Sequence, residues 1–207
     1  MSGASHPPRV FLLSPARAGG ARMGLLLSPH AGFELAWAFQ REGAALGELF
    51  QFASGLYFRG KLAYARAFGR PPAGASGALA IVPGRGLMDV ESKITVEDLR
   101  AIGKIPVDLR DPRYRAPLQR DVEDLGRRLG ERGEAVLLGS IATAKYADVL
   151  LSILGDRLLF PPAFVGRGDM SRGGLLLRCV RSRTELEYAP LRGAVVHGPR
   201  PPRLPQG

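Results

Sequence analysis

The order of apolar runs along this chain predicts an α/β domain, with a mixed, largely parallel sheet flanked by helices. The runs within Arg9–Ser14, Ala78–Val82 and Ala135–Leu138 are continuous, as parallel strands buried on both faces require. Segments with helical apolar spacing separate them. Each run ends in a turn of serine, proline or glycine, at the edge where α/β proteins carry their working residues.

In chain order, residues 1–8 are polar and Pro-rich and are expected to be disordered. The first strand, Arg9–Ser14, leads into the small-residue loop Ser14-Pro15-Ala16-Arg17-Ala18-Gly19-Gly20, which is either a tight turn or an anion cradle. Phe33–Arg41 has helix spacing, and Trp37 within it is expected in or half in the core. Leu46–Phe52 reads as a strand. Gly55–Phe68 reads as a helix with Phe58, Leu62, Ala65 and Phe68 on its buried stripe. Arg59, Arg66 and Arg70, interleaved with Tyr57 and Tyr64, then share another face, which is either a phosphate-binding face or an ordinary solvated one.

Arg70–Gly77 is a loop, and Ala78–Val82 a strand closed by the basic turn Gly84-Arg85-Gly86. Thr95–Ile102 is a short helix opened by a capping-box pattern of Thr95 and Asp98. Ile105–Val107 reads as an edge strand and Arg110–Tyr114 as a polar connection. Ala116–Arg132 is a charged helix with Leu118, Val122, Leu125 and Leu129 inside. The strand Ala135–Leu138 stops at Gly139-Ser140. A helix follows to near Leu154 with Ala142, Tyr146, Val149, Leu150 and Ile153 inward, and then a strand over Leu158–Phe160. Val165–Gly174 is a loop, Leu175–Val180 a strand, Arg181–Thr184 a hairpin turn and Glu185–Tyr188 an edge strand. The Pro-rich, basic tail 197–207 is extended, so one domain spans 9–196.

At 207 residues the chain is one domain, and 45% apolar residues supply a core without disulfide staples. Its single cysteine, Cys179, cannot form an internal disulfide and is expected to be a buried, inert thiol, which suits a reducing cytoplasm. No apolar run approaches the roughly 20 residues that span a bilayer, and the first residues lack a signal-peptide core, so a cytoplasmic location is expected, with no membrane partner. The net charge is +10, and all but Lys61, Lys93, Lys104 and Lys145 of the basic residues are arginine. Arginine grips phosphate bidentately, so a polyanion partner is one reading of this excess. A G+C-rich genome, which favours Arg, Ala, Gly and Pro codons together, is the other.

No metal site is expected: His6, His30 and His197 are scattered, and no CxxC or HxxxH spacing exists. No cofactor motif is present either; neither GxGxxG nor a P-loop occurs. The densest polar cluster is Gly166–Gly173. Arg167 and Arg172 there can grip a phosphate, and Asp169 and Ser171 are the catalytic candidates; alternatively, Asp169 merely pairs with an arginine.

Several short motifs, in order over residues 9–180, resemble the YaaA-type peroxide-stress family. Ser14-Pro15-Ala16-Arg17 is similar to the family's Ser-Pro-Ala-Lys after the first strand. Phe52-Ala53-Ser54-Gly55-Leu56-Tyr57 resembles its Phe-x-Gly-Asp-Val-Tyr segment, and Arg85-Gly86-Leu87-Met88 its Tyr-Gly-Leu-Leu turn. Ile141-Ala142-Thr143-Ala144-Lys145-Tyr146 corresponds to Leu-Ala-Ser-x-x-Tyr, and Ser171-Arg172-Gly173 to Ala-Arg-Gly. Arg17 replaces the family lysine, Gly55 the acidic residue and Arg85 the tyrosine. The resemblance implies a compact YaaA-like α/β fold, a cytoplasmic protein, binding to double-stranded DNA and a part in limiting oxidative damage.

Two functions are therefore expected. In the first, Arg17, Arg59, Arg66, Arg70, Arg85, Arg167 and Arg172 contact the phosphates of double-stranded DNA. In the second, an enzyme acts on a nucleotide, nucleobase or phosphorylated small molecule in a pocket at the strand ends, formed by Ser14, Arg17, Gly86, Ser140, Thr143, Tyr146, Asp169 and Arg172. Shape separates them: a deep pocket uniting these residues favours the enzyme, and a broad convex basic face favours DNA.

Overall fold

Val10, Phe11, Leu12 and Leu13 are wholly buried, so the first apolar run is covered on both faces and forms the middle of a sheet. The structure, a computed structural model, describes residues 7–16, 20–141 and 144–194. Strand β1 (Arg9–Leu13) runs parallel to β3 (Ala78–Val82) on one side and β6 (Glu134–Leu138) on the other. Beyond β6 lies β7 (Leu158–Phe160), also parallel. Two antiparallel edges, β4 (Gly86–Asp89) on β3 and β8 (Ala189–Pro190) on β7, complete the order β4-β3-β1-β6-β7-β8. A separate two-stranded ribbon joins β2 (Ala44–Ala45) to β5 (Lys93–Ile94).

Alternation along the strands sorts the core into two layers. Phe11 and Leu13 face α1 (Ala21–Leu27), α2 (Glu34–Glu42), α3 (Leu46–Ser54), α4 (Leu56–Phe68), α5 (Val96–Gly103) and α8 (Asp169–Ser182). Val10 and Leu12 face α6 (Pro112–Leu129) and α7 (Ala144–Leu154). Among the described residues no helix is long and apolar enough to cross a membrane.

The connection after β1 leads to β3 on one side of it, while the connection after β6 leads to β7 on the other. The chain therefore diverges at the carboxyl ends of β1 and β6, the topological switch point where open α/β sheets leave a crevice.

Several expected elements take another form. Leu46–Phe52 is helical, because Leu46, Leu49 and Phe50 are the buried positions, at i, i+3 and i+4. Leu175–Val180 is also helix rather than strand: α8 runs unbroken from Asp169, burying Gly173, Leu176 and Cys179 at every third position. The expected hairpin at Arg181–Thr184 is this helix's end, with Arg183 closing it in the left-handed region at φ 54°. Glu185–Tyr188 is not a strand; the edge position beside β7 belongs to Ala189–Pro190. Ile105–Val107 is a loop. Within the expected connection Arg110–Tyr114, α6 already begins at Pro112, capped by Asp111 and burying Tyr114. Trp37 is 57% exposed, not core, since Ala36 and Phe39 supply the inner face of α2. The tail 197–207, residues 1–6 and Ala142 lie outside the described residues.

Candidate functional site

The stripe of α4 that faces the sheet carries Phe58, Lys61, Leu62 and Ala65, so its helical register drives a lysine into the core. Lys61 is 3% exposed. Its Nζ donates to the carbonyl and hydroxyl oxygens of Ser14, at 3.0 and 2.9 Å. It also lies over the rings of Tyr57 and Phe58, 4.6 and 4.8 Å from their centroids. Burial pushes the Lys61 ammonium down to about 7, against the pull of the Asp169 carboxylate and with the help of the Arg172 guanidinium.

Ser14 directly follows β1; its N–H reaches the Leu138 carbonyl and so continues the pairing with β6. Gly139 follows β6 directly. A Cβ there would stand 2.7 Å from Ser14 Cβ and 2.9 Å from Tyr146 Oη, so only glycine lets these two side chains converge on the end of β6. Tyr146 donates to the Ser140 carbonyl at 2.9 Å, and burial raises its phenol. Tyr57 is equally enclosed. Burial raises its phenol, against the opposing charge and hydrogen-bonding pull of Arg172.

These groups surround a cavity of about 330 Å³ bordered by Ser14, Tyr57, Lys61, Ser140, Tyr146 and Asp169. It adjoins a cleft of about 650 Å³ that shares Ser14, Ser140, Tyr146 and Asp169 and adds Pro83, Ile102, Ile105, Val107 and Lys145. Thus the loop taken for an edge strand, Ile105–Val107, forms an apolar wall of the cleft. The first turns of α7 and α8 both border this space, through Lys145 with Tyr146 and Asp169 with Met170. Helix amino termini carry partial positive charge; at α8 the carboxylate of Asp169, the first helical residue, offsets it.

The expected site residues separate into two groups. Ser14, Ser140, Tyr146 and Asp169 come together. Arg172 stands behind them, 14% exposed, with its Nε on the Phe164 carbonyl and its Nη1 3.7 Å from Asp169. Arg167 donates to the Ala163 carbonyl and to Ser171 Oγ, which occupies that hydroxyl within the helix start rather than in the cavity. Gly86 is elsewhere: at φ +79° it turns β3 into β4 and packs against Asp121 and the Pro117 carbonyl. Arg17 and Thr143 lie outside the described residues.

Three of the four candidate arginines outside the crevice are committed. Arg66 binds Glu91, Arg70 binds Glu185, and Arg85 binds Asp98, while Arg59 is exposed. Tyr57 and Tyr64 do not interleave with them on the surface; both are buried. Among the described residues no group of three or more His, Cys, Asp or Glu side chains is placed to hold a metal ion. Cys179 is buried, and burial raises its thiol.

The residues that sequence reasoning missed are Lys61, Tyr57 and Lys145. For Lys61 a signal existed: it sits three residues after Phe58 and four before Ala65, inside the apolar stripe. Compared with known families, with characterised proteins and with solved structures, the chain matches none.

Proposed function

We propose that the protein is an enzyme acting on a small phosphorylated molecule, such as a nucleotide, in the crevice between the ends of β1 and β6. One observation carries this reading. Three chain segments distant in sequence bring Ser14, Ser140 with Tyr146, and Asp169 to one cavity, which a buried lysine and a buried phenol from a fourth, α4, also line. Charge supports an anionic ligand. Lys145 borders the space, the amino-terminal turn of α7 opens onto it, and Arg172 adds positive potential from behind, against the one carboxylate of Asp169. The apolar wall of Ile102, Ile105 and Val107 suits a base or other flat apolar group beside the phosphate. The cytoplasmic location that goes with this reading rests on the lone, unpaired cysteine.

Calorimetric titration with inorganic pyrophosphate and with AMP tests the proposal. One molecule should bind per chain, and Lys145→Ala should weaken binding by about 10-fold or more, the value of one hydrogen bond to a charged group. Absence of binding, or equal affinity in the variant, would count against the crevice as an anion site.

The second reading, a DNA-binding protein with a role in peroxide stress, draws on the family resemblance and on the net charge of +10. It is the weaker of the two because Arg66, Arg70 and Arg85 each already hold a carboxylate.

A further inference from the structure

A lysine enclosed without an ion-paired carboxylate is costly, and a methionine would fill the same volume without a charge to desolvate. Lys61 nevertheless occupies that position, touching one hydroxyl, one carbonyl and two ring faces. The hydroxyl it touches borders a cavity, as Lys61 itself does. A nucleophile within hydrogen-bonding reach of a desolvated amine is the arrangement that activates a serine.

We infer that Ser14 and Lys61 are a nucleophile and general base for acyl transfer, acting on an ester or amide of a phosphorylated small molecule. The phosphorylated character of the substrate rests on the function proposed above; the pair itself does not.

As the free amine, Lys61 accepts the proton of Ser14 Oγ while that oxygen bonds to the acyl carbon. The tetrahedral adduct collapses by breaking the bond to the leaving alcohol or amine, which takes the proton from the Lys61 ammonium. Water then adds to the acyl-serine with Lys61 again as base, releasing the acid and restoring both residues.

The charged and titratable groups around Lys61 come from two helices: Tyr57 from α4, and Asp169 and Arg172 from α8. Tyr146 of α7 lies beside Ser14. Burial outweighs the Asp169 carboxylate, so the amine is substantially free near neutral pH.

The experiment is covalent labelling with a fluorophosphonate ester, which needs no knowledge of the substrate, followed by peptide mapping. Label is expected on Ser14, at a rate that rises with pH through about 7 and then levels, the profile of the Lys61 amine. Ser14→Ala should lose it, and Lys61→Met should slow it by about 100-fold or more. The wild-type pH profile needs no variant, so a misfolded Lys61→Met leaves the test intact. No label on Ser14 at any pH, or labelling without the rise near neutrality, would overturn the pair. Pyrophosphate is added in parallel. Binding without labelling overturns the pair and leaves the anion site standing; labelling that pyrophosphate does not slow upholds the pair and removes the phosphate from the substrate.

Discussion

Lys61 shows how one residue can be at odds with its surroundings. Its folded pKa lies near 7, below the ordinary lysine value of 10.5. Below about pH 7 both states carry the proton, and the fold bears the cost of enclosing the charge. Between about pH 7 and 10 the unfolded chain binds a proton that the folded chain does not. Stability should therefore rise with pH across that window, by up to about 1.4 kcal/mol per pH unit. Chemical unfolding at several pH values should show this rise in the wild type and its loss in Lys61→Met. A parallel pair of curves would mean that the ammonium is solvated in the folded protein.

Other residues are explained by partners far along the chain. Glu185 accepts from both Arg9 and Arg70, and these bonds hold its carboxyl below the ordinary range although burial raises it. Tyr64 accepts from the Leu186 N–H and meets the Tyr188 hydroxyl at 2.6 Å. Glu185–Tyr188 is thus pinned over β1 by side chains. A strand assignment there, read from the local sequence after an expected hairpin turn, had no means of seeing such anchors.

Among elements, the pairing of α4 with α8 sets the site. The two helices approach so closely that a Cβ on Gly60 would stand 2.7 Å from the Gly173 carbonyl, and one on Gly173 2.8 Å from the Leu56 carbonyl. Glycine inside a helix normally costs about 1 kcal/mol relative to alanine. Gly173→Ala is nonetheless expected to destabilise by about 1–3 kcal/mol, because the backbones must separate. Separation would also move Asp169 and Met170 away from Lys61. Thermal or denaturant unfolding measures the first effect. A neutral or stabilising substitution would mean that the helices sit further apart than described.

Leu175–Val180 was legible as apolar but not as helix. A short apolar run fits a buried strand or a helix face equally well, and what decides is the surface it meets. Here that surface is α4, and the sheet edge beside β7 already holds β8. The same holds for Leu46–Phe52. By contrast, α5 was legible from the outset, since the Thr95–Asp98 capping box is a local arrangement that needs no distant partner.

At the scale of the whole molecule, the charge of +10 is spread over arginines that largely brace the surface. Arg66 holds Glu91, and two further arginines on α6, Arg127 and Arg128, share Asp124. Exposed pairs of this kind contribute little each, about 0–1 kcal/mol, but they take the guanidinium groups out of use. Arg66→Ala should therefore leave the affinity for a labelled DNA duplex, and its dependence on salt, unchanged in an anisotropy titration. A salt slope reduced by about 0.9 would instead show that Arg66 contacts a phosphate.

The sequence by itself determined the strands that form the centre of the sheet, the capped helix α5 and the two turns, Ser14-Pro15 and Gly139-Ser140, on which the crevice opens. These depend on interactions within a few residues, or on apolar runs so long that any fold must bury them. Only the tertiary structure decided that α8 is a helix, that Lys61 touches Ser14 across 47 positions of chain, and that most candidate arginines are already paired. Each of those outcomes depends on which distant surface a segment meets. Periodicity and charge describe what a segment can bury or attract, and packing selects its partner.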